Sequence, residues 1–205
     1  MRRWLTRILC AGLAAVYIVS GAAVHAQVKE NQREIAGQVL RLHIRANSDS
    51  VSDQQLKFQV REAVISCLKG YQPEMTDIQS ARQIVSEHEA EIKTAAGQAI
   101  QSAHKTYEVD INIGPSWFPK KRYGDIVLPE GIYDAVTVNI GQARGQNWWC
   151  VLFPQLCFID VTRGYVPEDA KEDLEENLSE PAYEAIIDPS VEARFKIVEW
   201  LQNLW

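Results

Sequence analysis

Leu42, Ile44 and Ala46 alternate with Arg41, His43 and Arg45, a period of two that predicts a strand over residues 39–46 with one polar face. Asn47-Ser48-Asp49-Ser50 is turn chemistry, and Ser52 followed by Gln55 gives a capping-box pattern for a helix. That helix carries Leu56, Val60, Ala63, Val64, Cys67 and Leu68 on one stripe and stops at Gly70. After a loop with Pro73, Thr76 and Gln79 repeat the capping pattern. Ile78, Val85, Ile92, Ala96 and Ala99 then hold the helical period toward Ala103. Beyond it the period changes to two. Tyr107, Val109, Ile111 and Ile113 alternate with Glu108, Asp110 and Asn112, a half-buried strand. A further strand covers residues 132–140, with Val136, Val138 and Ile140 on one face and Tyr133, Ala135 and Thr137 on the other. Residues 117–129, with their Lys120-Lys121-Arg122 cluster, read as a loop or irregular hairpin. Residues 148–159 form an apolar and aromatic block.

The two ends have a different character. Residues 164–190 are dominated by acids, with Leu174 and Leu178 four apart, and are expected to be a solvated, partly helical linker. Residues 191–205 are amphipathic through Phe195, Val198 and Trp205, a C-terminal helix suited to packing on the domain or meeting a membrane or partner. At the start, Arg2, Arg3 and Arg7 precede an apolar run from Ile8 to Val19, and Val24-His25-Ala26 supplies small residues where a signal peptidase reads. Gly21-Ala22-Ala23 and Ala26 favour cleavage before Gln27 over retention as an anchor. The expected organisation is a signal peptide over 1–26, a linker over 27–38 and a domain over 39–163. An acidic linker over 164–190 and the terminal helix over 191–205 complete it. A strand, two helices and later strands indicate an α+β fold, a small mixed or antiparallel sheet packed by two amphipathic helices.

Charge and cysteines refine this picture. The net charge of −6 becomes −9 once the three arginines of the signal segment leave. Such a chain lacks the basic surface that binds nucleic acid or anionic lipid non-specifically. Export leaves Cys67, Cys150 and Cys157, an odd count that implies one disulfide and one spare thiol. Pro154 can turn the chain back between Cys150 and Cys157, so these two are expected to pair, with Cys67 a small hydrophobe on its helix.

Catalytic patterns are sparse. His43, His88 and His104 do not share metal-ligand spacing, and there is no Cys-x-x-Cys, His-Glu-x-x-His, Gly-x-Ser-x-Gly or phosphate-cradling loop. Cys150, His43 and Asp49 could in principle form a thiol nucleophile, base and orienter, but a second cysteine seven residues on makes a disulfide the better reading. The densest polar cluster is Arg45, Asn47, Ser48, Asp49, Asp53, Lys57 and Arg61. It reads either as a junction with an ion-pair ladder along the helix or as a charged contact surface for a partner. Trp148 and Trp149 point to opposite faces of a strand, so at most one need enter the core and the other is free to anchor a partner.

Three blocks carry a resemblance. The first is Leu42-His43-Ile44-Arg45-Ala46-Asn47-Ser48-Asp49-Ser50 with Asp53-Gln54, Leu56-Lys57 and Val60-Arg61. The second is Phe118-Pro119, Lys121, Tyr123-Gly124, Leu128-Pro129 and Gly131-Ile132-Tyr133. The third is Ile140-Gly141, Gly145, Asn147-Trp148-Trp149-Cys150-Val151-Leu152-Phe153-Pro154 and Leu156-Cys157-Phe158. Together with Phe195-Lys196-Ile197-Val198-Glu199-Trp200 they resemble the stage II sporulation protein R family in order and extent. Glu130 stands where that family usually has a small residue, and Gln155 replaces a common proline. The resemblance implies a protein made in the forespore and exported into the space between the two sporulation membranes. There it triggers a membrane-embedded aspartic protease that processes the sigma-E precursor. On that implication the protein is an activating ligand and not an enzyme. It needs no cofactor, metal or nucleic acid and spans no membrane after signal cleavage. The competing class is a secreted cell-wall-modifying hydrolase using Cys150 or the acidic residues.

Overall fold

The alternating run after Val39 becomes β1 (Leu40–Arg45), which lies inside the sheet and not at its rim. The computed structural model describes residues 2–158, 166 and 168–187. β1 is parallel to β5 (Gly131–Ile140), with Leu40 opposite Asp134, and antiparallel to β6 (Asn147–Phe153), with Leu42 opposite Cys150. β2 (Val109–Phe118) adds antiparallel to the far side of β5, so the sheet is mixed. A parallel pair needs a long crossover, and here the helices and β2 provide it.

One face of the sheet is covered by α2 (Val51–Lys69), α3 (Ile78–Glu87) and α4 (Glu89–Ser102). Leu56, Val60, Val64 and Leu68 of α2 and Ile92, Ala96 and Ile100 of α4 form one core with Leu42, Ile44, Val136, Val138 and Ile140. Each fully buried aliphatic side chain there contributes about 1.5–3 kcal/mol. The helix starts differ from expectation. Ser50, not Ser52, caps α2, its Oγ accepting from Asp53 N at 3.2 Å. The expected second helix is two, divided at His88, whose ring stacks on Tyr71 at 3.8 Å and bonds Glu91 at 3.1 Å. Asp77 and Ser80 make the reciprocal capping box of α3, in place of Thr76 and Gln79.

The other face of the sheet is covered too. Arg41 and His43 are fully buried, because a second core closes over them. It contains Phe118, Tyr133 and Val151 from the sheet and Tyr123, Ile126 and Leu128 from the hairpin of β3 (Lys121–Tyr123) and β4 (Ile126–Leu128). Ile35, near the end of α1 (Arg2–Gly37), joins them. Val166 and residues 168–187 of the acidic stretch supply the rest, so this part is not a solvated linker. It forms α5 (Glu168–Asn177) and α6 (Glu180–Ile186), with Leu174 of α5, Leu178 between the helices and Ala182 and Ile186 of α6 buried, while Glu172, Glu175, Glu176, Glu180 and Glu184 are exposed. Lys171 of α5 holds Asp125 at 2.6 Å, and the same carboxylate accepts from Val166 N at 3.1 Å. The stretch 27–38 is likewise docked at its end. Asn31 Nδ2 donates to Pro181 O at 3.0 Å, and Glu34 accepts from the backbone and hydroxyl of Ser179. The expected C-terminal helix, 191–205, lies outside the described residues. Among those described, no helix is long and apolar enough to cross a membrane.

Candidate functional site

The end of β1 and the start of α2 are joined by the short polar turn that the sequence marks out. Asp53, in the first turn of α2, faces back into it and is buried. Its carboxylate accepts from Asn47 Nδ2 (2.8 Å), Ser48 Oγ (2.6 Å) and the Tyr107 hydroxyl (3.2 Å). Burial pushes its pKa up, but these donors and the Lys105 charge outweigh it and hold the carboxyl below its usual range.

The turn between β5 and β6 closes onto the same junction. Asn47 Oδ1 accepts from Gln142 N (3.0 Å), Asp49 Oδ1 from Gln146 N (2.7 Å), and the carbonyls of Ala46 and Asn47 from Gly145 N and Arg144 N. Lys57 Nζ donates to Gln54 Oε1 (2.7 Å) and Gln146 O (3.2 Å), and Gln54 Nε2 to Ser48 O (2.9 Å). Burial lowers the Lys57 pKa, opposed by the Asp49 charge. Gly141 has φ +55° and Gly145 packs flat on the junction; a Cβ at either would overlap the Asn47 side chain or the Ser48 carbonyl. Asn47, Asp53 and Lys57 therefore brace one clasp from inside, with Asp49 at its exposed edge.

The expected ladder of Asp53, Lys57 and Arg61 does not form, because Asp53 and Lys57 lie on the buried side of α2 and their polar groups must satisfy partners there. Arg61, one turn further on, reaches the surface. It pairs with Glu62 and lies over the rings of Phe58 (5.1 Å) and Trp148 (5.2 Å). Arg45 is half-buried and directs Nε to His43 Nε2 at 3.3 Å. Trp148 and Trp149 do face opposite sides. Trp148 packs beside the helix-side core, and Trp149 stacks on His43 at 3.8 Å; both are half-buried.

Under Trp149 lies a constellation that the sequence pattern did not announce. The Arg41 guanidinium sits 4.1 Å over Phe118 and 4.8 Å over Tyr133, and Nη2 donates to the Tyr123 hydroxyl at 2.8 Å. Arg41 Nε and Nη1 have no hydrogen-bond partner among the described residues. Burial lowers the His43 pKa to about 4, assisted by the charges of Arg45 and Arg41 against a bond with Asn147. His43 is therefore neutral near pH 7. Its alternation with Leu42 and Ile44 pointed to a solvated face; only the long-range partners reverse that.

The thiol constellation is not assembled. Cys150 is bonded to Cys157, with 5.7 Å between Cα atoms, and belongs to the helix-side core. His43 faces the other side of the sheet, and Asp49 is held by Gln146 N. Cys67 is a free, half-buried cysteine whose thiol pKa is raised by burial and by Glu91. Among the described residues no group of His, Cys, Asp and Glu is placed to hold a metal ion.

The family described as stage II sporulation protein R matches residues 36–163, more than half of the chain. The chain belongs to that family. Stage II sporulation protein R of Bacillus subtilis (strain 168) is 33% identical over 225 aligned positions, which cover 98% of each chain. No solved structure matches. The family match assigns the chain a role in sporulation. It runs from the end of α1 through the clasp, the Arg41 cage and the Cys150–Cys157 bond, leaving α5 and α6 beyond it.

Proposed function

We propose that this protein is an exported sporulation signal that activates the membrane-embedded aspartic protease processing the sigma-E precursor. The observation that carries this reading is family membership held across nearly the whole of both chains, 98% of each. The basic and apolar N-terminal pattern ending at Ala26 supports export from the forespore into the space between the sporulation membranes. Cys150 is bonded to Cys157 and, among the described residues, neither His43 nor Asp49 is placed beside it, which supports a ligand over a hydrolase acting through this thiol.

On this reading the clasp is a rigid support for a contact surface. Asn47, Asp53 and Lys57 brace it from inside. Arg45, Asp49, Arg61 and Trp148 are the groups it offers the protease, while Trp149 fixes β6 from below. Binding activates by having higher affinity for the working state of the protease than for its idle state.

The test is an immunoblot for the sigma-E precursor in a deletion strain of the native host during sporulation. The strain is complemented with the full gene or with one lacking Met1 to Ala26. Unprocessed precursor in the deletion, restored only by the full gene, is the expected result. Normal processing in the deletion would overturn the proposal.

A further inference from the structure

The β2–β5 ladder is longer than the helix layer above it. On the helix side Ile111, Ile113, Val136 and Val138 are covered, and Arg82 of α3 reaches down to Asp134 at 2.8 Å. Among the described residues the cover ends past this ion pair. Trp117 and Ile132 stand opposite one another in the ladder, and their neighbours Phe118 and Tyr133 point into the second core. Alternation therefore puts Trp117 and Ile132 together on the helix-side face. Trp117 is 54% exposed and Ile132 55%, and Pro115 beside them is exposed as well.

This apolar ledge is rigid. Phe118 and Tyr133 are locked edge to face at 5.9 Å beneath it, and Gln32 Nε2 donates to Ile132 O at 3.3 Å. Gly131 leaves space for that glutamine, which a Cβ would strike. A preorganised surface loses little freedom on binding. Immediately after the ledge comes Lys120-Lys121-Arg122, a run of consecutive cations on a chain of net charge −6.

We infer that the ledge is a protein-contact surface for the extracytoplasmic face of an integral membrane partner, one that offers an apolar pocket rimmed by carboxylates. The class of partner rests on the function proposed above. Extracytoplasmic loops of membrane proteins are poor in Lys and Arg, so the surface an exported protein meets is neutral to acidic. The acidic bulk of this chain repels such a surface, whereas the Lys120-Lys121-Arg122 run, which follows the ledge directly in the chain, draws it toward this end of the molecule. Trp117 is suited to filling a pocket, with Ile132 beside it. The ledge adjoins Gln32 of α1, which donates to Ile132 O. The clasp lies at the opposite end of β1, since Leu40 pairs with Asp134 and Arg45 with Asn147.

The test uses the full chain in the sporulating native host, with Trp117→benzoyl-phenylalanine as a photo-crosslinker and the same substitution at Glu175, exposed on α5 over the other face of the sheet, as the comparison. Adducts are identified by mass spectrometry. The expected result is an adduct from position 117, and not 175, with the sigma-E-processing protease. Lys120→Glu with Lys121→Glu should reduce it about tenfold. In parallel, Trp117→Ala with Ile132→Ser should accumulate normally outside the forespore yet lower precursor processing about tenfold or more. Adducts only with lipid or a second copy of the chain, no adduct, or normal processing by that double variant would overturn the ledge. If the double variant fails to accumulate, the adduct from position 117 alone decides. An adduct with another integral membrane protein, together with normal processing in the deletion strain, would keep the ledge and discard the protease.

Discussion

Asp53 shows how a charged residue becomes part of a fold's interior. It accepts from Asn47, Ser48 and Tyr107, so Asp53→Asn turns one acceptor oxygen into a donor facing donors. The expected loss is about 2 kcal/mol, read from the urea midpoint. Gly145→Ala should cost about 1–3 kcal/mol by the same measurement, because its methyl meets the Ser48 carbonyl. His43 gives the pH dependence. Its pKa falls from 6.5 in the unfolded chain to about 4 in the folded one, so between these values the unfolded chain binds the extra proton. This contribution to stability is complete above pH 6.5 and is lost as pH falls toward 4, at up to about 1.4 kcal/mol per pH unit. Thermal denaturation across pH 4–7 should show this slope, and His43→Gln should flatten it. Asp53 contributes separately at lower pH. Its carboxyl is depressed when folded, so its contribution fades only as pH drops through that depressed value.

At the scale of elements, α5 and α6 behave as part of the second core despite their acidity. Leu174→Ala should destabilise the protein by about 2–5 kcal/mol, whereas Glu175→Gln on the exposed side should stay within about 0.5 kcal/mol. Chemical denaturation of the two variants measures the difference, and a loosely attached segment would leave both near zero. The α2 stripe and the two faces of β5 were legible in the sequence because their period is local and most of their apolar positions are buried on their own element. The pairing of Cys150 with Cys157 was legible for the same reason, being set within a few residues. β1 was not. Alternating Leu and Arg reads identically whether the second face meets water or an aromatic core, and Phe118, Tyr123 and Tyr133 come from far along the chain. Leu174 and Leu178 signalled α5 only faintly among so many acids. The polar cluster was found from its residue types. That Asn47 and Asp53 turn inward depends on Gly141 and Gly145, which no local pattern links to them.

The whole molecule is a sheet with a core on each face, braced at the end of β6 by the Cys150–Cys157 bond. If that bond is a brace, Cys150→Ser and Cys157→Ser should lower stability equally, by about 2 kcal/mol, and reduce precursor processing to the same extent. A larger loss of processing for Cys150→Ser alone would point to a thiol nucleophile. The position of β1 has a further consequence. Its ladder partners are encoded near the end of the domain, Asp134 opposite Leu40 and Cys150 opposite Leu42. A chain synthesised from its N-terminus therefore keeps its central strand bare on both hydrogen-bonding edges until almost everything else has been made. Bare apolar edges invite wrong pairings, and inward-pointing charge discourages them. Arg41 and Arg45 supply that charge while the strand waits. In the finished fold Arg41 is sheathed in aromatic rings, so the charge that discourages wrong pairing of the bare strand ends at the centre of its second core.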